Sequence, residues 1–130
     1  MINTSFGMTN SIYQQQRQAM IKSRYDEVYA HEKKHKDAAG EFGGSIVIEK
    51  DANGIPTGGH VNILMPTLDK ENPEETIKHA DIVIKSAMAP DDPSNQDYKV
   101  AAEARATKAQ AQAQEAKNSN EPGSRLNLYA

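Results

Sequence analysis

Val28-Tyr29-Ala30-His31-Glu32-Lys33-Lys34-His35-Lys36-Asp37-Ala38-Ala39-Gly40 closes a stretch that runs from about Ser11 without proline or glycine until Gly40. Within it Tyr13, Met20 or Ile21, Tyr25, Val28 and His35 recur at steps of three, four and seven residues, as one helical face requires. The spacing predicts a helix over residues 11–39, stopped by Gly40. Two histidines four apart on such a helix stand on one face about 5 to 6 Å apart at Cβ, so both imidazoles can reach one ion. His31 and His35 meet that condition and share a stripe with Val28 and Ala38 that should turn inward.

Beyond Gly40, the β-branched run Ile46-Val47-Ile48 precedes Asn53-Gly54, and a second apolar segment follows. This is the signature of a β-hairpin over residues 45–63. Pro56 and Gly58-Gly59 make its second strand an edge strand or one with a bulge. A ribbon of two or three short strands is marginal alone, so it must lie against the helices. Asn72 as N-cap, Pro73, and Glu74 and Glu75 in the first turn open a helix over 73–89, with Ile77, Ala80, Ile84, Ala87 and Met88 on its apolar face. Pro90 and Pro93 break it, and Ser94 with Asp97 forms a capping box for an Ala- and Gln-rich helix over 94–117. Residues 1–10 read as a flexible lead-in and 118–130 as a flexible tail. The expected architecture is α+β, mostly helical, with a single domain over 11–117.

Composition bounds what such a domain can do. Only 37% of the 130 residues are hydrophobic and 5% aromatic, and mean hydropathy is −0.76, so the core must be small, with ~60 to 80 residues packing together. Fifteen basic against 18 acidic residues give a net charge of −3, mixed along the chain, which disfavours nucleic acid as a partner. Without cysteine there is no disulfide framework, and any zinc must be held by imidazole and carboxylate. No apolar run approaches the ~20 residues of a membrane span, and the first thirty residues lack the apolar core of a Sec signal. The expectation is a protein of the cytoplasm by default, dedicated export aside. Oligomeric state is not legible.

His31-Glu32-Lys33-Lys34-His35 then has a specific chemical reading. The two imidazoles ligate zinc, which lowers the pKa of a coordinated water toward ~7, and Glu32 takes that water's proton without binding the metal. The competing reading is a solvated helix face in which Glu32 pairs with Lys36. A catalytic zinc needs a third protein ligand and an open position. His60, on a glycine-flanked strand that can approach the helix closely, is the preferred candidate. Glu41 just past the helix, and Glu75 and His79 on the helix that should cross the site, are the alternatives.

These blocks recur in order: Ala30-His31-Glu32 to His35, Ala38-Ala39-Gly40, Gly43-Gly44, Asn53-Gly54, Gly58-Gly59-His60-Val61, Pro73-Glu74-Glu75-Thr76-Ile77-Lys78, Ala87-Met88-Ala89-Pro90, Pro93-Ser94, Gln96-Asp97 and Val100-Ala101-Ala102. In this series, from Val28 to Ala113, the chain resembles the SprA-related metalloprotease family of bacterial proteins, whose members contain the His-Glu-x-x-His motif. The resemblance implies a zinc-dependent peptidase acting on a peptide or protein substrate. Where this chain has His60 the family usually carries Glu. Both residue types ligate zinc, so the change would give a three-histidine site with one more unit of positive charge.

The leading expectation is a small zinc metallopeptidase with His31, His35 and His60 as ligands and Glu32 as general base. A second, from another class, is a noncatalytic helical interaction protein in which zinc staples helix to hairpin through four ligands. A third is metal storage or delivery, with only the ligands themselves behind it.

Overall fold

The computed structural model describes residues 2–120, with side chains from Asn10 onward. The fold is mostly helical with one antiparallel hairpin: α1 (Ile2–Ala39), a 3-10 turn (Gly40–Phe42), β1 (Gly43–Lys50), β2 (Pro56–Ile63), α2 (Pro73–Ala87) and α3 (Asn95–Ser119). The α+β layout read from the sequence is the one found. α1 is drawn from Ile2 rather than Ser11, since residues 2–10 hold no proline and continue the same helix. The part of the expected tail from residue 121 onward lies outside the described residues.

Gly40 ends α1 with φ 56°, a left-handed conformation that other residues adopt at a cost. The chain then turns directly into β1. At the hairpin tip the Asp51 carboxylate accepts from the Asn53 and Ile55 amides at 2.8 and 3.0 Å, and Gly54 closes the turn at φ 79°. Pairing is irregular at both ends: the register shifts between Gly43 and Ile46 and between Glu49 and Lys50, opposite Pro56. The bulge expected from Pro56 and the glycines is therefore present.

The core is small and built of small side chains. Ala39, Ala80, Val83, Ala87, Ala101, Ala104 and Ala111 are buried in it, together with Pro56 and Pro73. Alanines facing one another allow α2 and α3 to pack closely along their lengths. Lys108 adds an ion pair to Asp81 between the same two helices, at 2.7 Å.

Helix starts are handled differently from one to the next. The capping box at α3 is complete: the Asp97 amide donates to Ser94 Oγ at 3.1 Å and the Ser94 amide to Asp97 Oδ2 at 2.8 Å. Asn72 occupies the N-cap of α2, but its side chain makes no capping bond. The loop before α2 is instead tied to that helix by buried Thr76, whose Oγ1 accepts from the Asp69 amide at 2.9 Å and donates to the Thr67 carbonyl at 3.2 Å.

The apolar stripe expected along α1 divides in two. Toward its C-terminus Glu32, His35 and Ala39 are buried and Val28 is half-buried, as an inward face requires. Toward its N-terminus Tyr13 is 61% exposed, and Met20 and Tyr25 also stand in solvent. The hairpin reaches back along α1 only to its tip, where Arg17 Nη2 donates to the Asn53 carbonyl at 2.6 Å.

One contact sets how closely sheet and helix approach. A Cβ at Gly59 would stand 2.7 Å from the Val47 carbonyl, 2.8 Å from Val28 Cγ1 and 3.1 Å from Glu32 Cγ, whereas at Gly58 it would meet nothing within 4 Å. Gly59→Ala is expected to destabilise the protein by about 1–3 kcal/mol through overpacking, and Gly58→Ala by no more than about 0.5 kcal/mol. Urea denaturation of the two variants checks this.

Candidate metal centre

Three helices meet where α1 carries its two histidines. α1 offers His31, Glu32 and His35 on its inward face, the C-terminal end of α2 offers Ser86, and the first turn of α3 offers Asp97. His35 is 4% exposed and doubly anchored: its Nδ1–H donates to the Ser86 carbonyl at 2.7 Å, while Ser86 Oγ donates to the His35 carbonyl at 2.6 Å. With Nδ1 committed as donor, the neutral ring presents a bare lone pair at Nε2.

That lone pair has no ordinary partner. His35 Nε2 is the buried side-chain polar atom without a hydrogen bond among the described residues, although Asp97 Oδ2 lies 3.1 Å away. An imidazole lone pair and a carboxylate oxygen facing each other repel unless a proton or a metal ion stands between them. His31 completes the group: its Nε2 is 3.4 Å from the same Asp97 oxygen, and its ring meets that of His35 edge-on, with centroids 5.0 Å apart. One ligating atom from each of His31, His35 and Asp97 lies within 4.8 Å of the others, a group that could hold a metal ion.

The carbonyl behind His35 is the support that metal-binding imidazoles usually have. Asp97 has its own support, since the capping bond from the Ser94 amide fixes the carboxylate over the first turn of α3. Outside this group Asp92 Oδ1 approaches His31 Nδ1 at 3.5 Å, and Lys34 pairs with Asp91 at 3.7 Å, both from the exposed segment between α2 and α3.

Glu32 sits beside the group without belonging to it. It is 6% exposed, and Oε1 is 3.9 Å from His31 Nε2. Burial holds its carboxyl above the usual glutamate range; the neighbouring His35 and His31 pull it back down only in part, and Asp97 adds to the upward push. A cleft of about 530 Å3 opens from Glu32, His35 and Asp97 toward β2, with Gly58, Gly59 and His60 along one wall.

Asp97, not the expected His60, stands with His31 and His35 in the group that could hold a metal ion. His60 lines the cleft but stands outside the metal-ligating group: half-exposed, it pairs through Nδ1 with Glu49 Oε1 at 3.0 Å, across the hairpin. Glu41 is exposed in the 3-10 turn, and Glu75 is exposed and pairs with Lys78 at 3.6 Å. His79 serves the fold: its Nε2–H donates to the Leu64 carbonyl at 2.7 Å, and its ring stacks on Phe42 at 3.8 Å. Asp97 was legible only as half of a capping box. The antiparallel return of α3 along α2, which brings its first turn to His35, carries no sequence mark of its own.

The model of the SprA-related family matches residues 7–121. The chain belongs to that family. No curated protein and no solved structure matches it.

Two outcomes follow from this geometry. Titration with Co2+ is expected to show one strong site per chain, weakened at least ~100-fold in His31→Ala, His35→Ala and Asp97→Asn and unchanged in His60→Ala; the absorption of the bound ion reads it. The second concerns metal-free protein and the sign of the Glu32 shift. A carboxyl raised by burial costs the folded state nothing below the unfolded pKa, and it destabilises progressively as pH rises through the folded value. Glu32→Gln should therefore match wild type near pH 4 and exceed it in urea midpoint at pH 7 and above.

Proposed function

For this member of the SprA-related family we propose a zinc-dependent peptidase in which His31, His35 and Asp97 hold the metal and Glu32 is the general base. The observation that carries this reading is the buried, hydrogen-bond-free Nε2 of His35, facing the Asp97 carboxylate. Two imidazoles and one carboxylate, with no cysteine in the chain, are a donor set that suits zinc and leaves a coordination position for reaction. Zinc held there would supply Lewis acidity, polarising a carbonyl and making water available as a nucleophile at neutral pH.

The chain's own residues account for the remaining parts. Glu32 lines the cleft with a carboxyl raised by burial, which brings it closer to the pH at which a base can both take up and release a proton. As water adds to the peptide carbonyl, Glu32 accepts its proton; as the C–N bond breaks, Glu32 returns that proton to the departing amine. A carboxyl acid and an amine are the products. Among the described residues β2 pairs with β1 alone and has its other strand edge unpaired, and its Gly58-Gly59 segment runs along the cleft. An extended peptide can add to such an edge through backbone hydrogen bonds.

The noncatalytic alternative, a zinc staple, calls for a closed set of four protein ligands. The group found has three, and Glu32 stands beside it in an accessible cleft, which supports the catalytic reading.

Elemental analysis of untagged protein and digestion of a mixed peptide library, read by mass spectrometry, test the proposal together. Wild type and Glu32→Gln should both hold about one zinc per chain, and Glu32→Gln should cleave at least ~100-fold more slowly. Equal cleavage by the two proteins, or protein that takes up no zinc on titration, overturns it.

A further inference from the structure

The geometry points to a peptide substrate that places an aliphatic side chain beside the scissile bond, in a hydrocarbon subsite built from β2, α2 and α3. This inference rests on the peptidase reading above.

It comes from how three elements continue past the metal group. On α3, Val100 lies three residues beyond Asp97 and so on the same helical face; on α2, Val83 lies three before Ser86. On β2, Val61 and Ile63 follow Gly59 at alternate positions and share its face of the strand. Each element thus brings one residue to the reactive end of the cleft and an aliphatic one to its continuation. Val61, Ile63, Val83, Ala87 and Val100 all line the same cleft as Glu32, His35 and Asp97. Val83 and Ala87 are buried and form its inner wall, while Val61, Ile63 and Val100 are half-buried and border its open space.

Charge points the same way. The ionisable residues lining the cleft are Glu32, Glu49, Asp97, His35 and His60, and neither lysine nor arginine is among them. A substrate carboxylate beside the scissile bond would enter a cleft lined by three carboxylates with no lysine or arginine side chain to receive it, and an ammonium laid among Val61, Ile63, Val83 and Val100 would lose water to hydrocarbon. A Val, Leu, Ile or Met side chain loses nothing there and gains burial. A cleft of about 530 Å3, shared with the backbone on either side, takes such a side chain.

The test uses metal-loaded wild type and synthetic peptides of one sequence, drawn from the library digestion, with Leu, Ala, Asp or Lys at a single position next to the cleaved bond. The expected result is a kcat/KM at least ~100-fold higher for Leu than for Asp or Lys, and about 10-fold higher than for Ala. Val100→Phe, which fills the open side of the subsite, should lower kcat/KM for the Leu peptide at least ~10-fold and erase its advantage over the Ala peptide. Val61→Phe narrows the same space from the strand and serves if Val100→Phe does not fold. Binding of the Leu and Asp peptides to zinc-loaded Glu32→Gln, by calorimetry, gives a readout apart from turnover and should show the same order.

Cleavage without preference among the four peptides, or a preference for Asp or Lys, overturns the aliphatic subsite and leaves the peptidase reading standing. If metal-loaded wild type cleaves no member of the library, the peptidase reading falls. Calorimetry with an aliphatic and an acidic library peptide then decides the subsite alone: tighter binding of the aliphatic one upholds it, and equal or absent binding overturns it.

Discussion

His35 and Ser86 exchange two hydrogen bonds, ring to carbonyl and hydroxyl to carbonyl, and the arrangement of the domain hangs on that exchange. It joins α1 to the C-terminal end of α2 at a point where both partners are buried, so breaking either bond strands a polar atom away from water. Because α3 returns along α2, the same joint decides where the first turn of α3 arrives. A polar fastening of this kind carries directional information that a core of alanines cannot supply, since small apolar side chains slide past one another at little cost. The imidazole that anchors the helices is also the one whose other nitrogen is left facing a carboxylate.

Asp97 shows a second economy. The oxygen that accepts the Ser94 amide is the one nearest both histidines, so one carboxylate oxygen caps a helix and completes the group that could hold a metal ion. The first turn of a helix favours negative charge through its dipole, and the cap removes the rotamer freedom of the side chain. The carboxylate is thereby held in place by secondary structure alone.

Reading the chain as sequence captured the parts governed by local rules. The helix through His35 ending at Gly40, the Asn53-Gly54 hairpin, Pro73 at the start of α2 and the Ser94–Asp97 capping box all follow from backbone preferences within a few residues, and all are present. His31 and His35 converge because helical spacing makes them do so. What depends on tertiary placement was not legible. Asp97 looked like a cap because its role as a neighbour of His35 arises from helix packing 62 residues away in sequence. His60 looked like a ligand because its glycine-flanked strand does approach α1, but Gly59 makes the approach while His60 turns to Glu49. Tyr13, Met20 and Tyr25 satisfied helical periodicity yet stay largely exposed, Tyr13 and Met20 bordering the hairpin tip and Tyr25 stacking on Tyr29.

The alanine-built contact between α2 and α3 has a thermal consequence. Heat capacity of unfolding grows with the apolar surface newly exposed to water, and a core of mainly alanine and valine exposes little of it. The stability of such a domain changes only gently with temperature: its curve is a low, broad dome, with a gradual melting transition and a distant cold limit. A ligand that binds only the folded form lifts that whole dome, and on a shallow curve a given lift moves the melting point further than it would on a steep one. Heat resistance in this protein would then report the occupancy of its centre more sensitively than the packing of its interior.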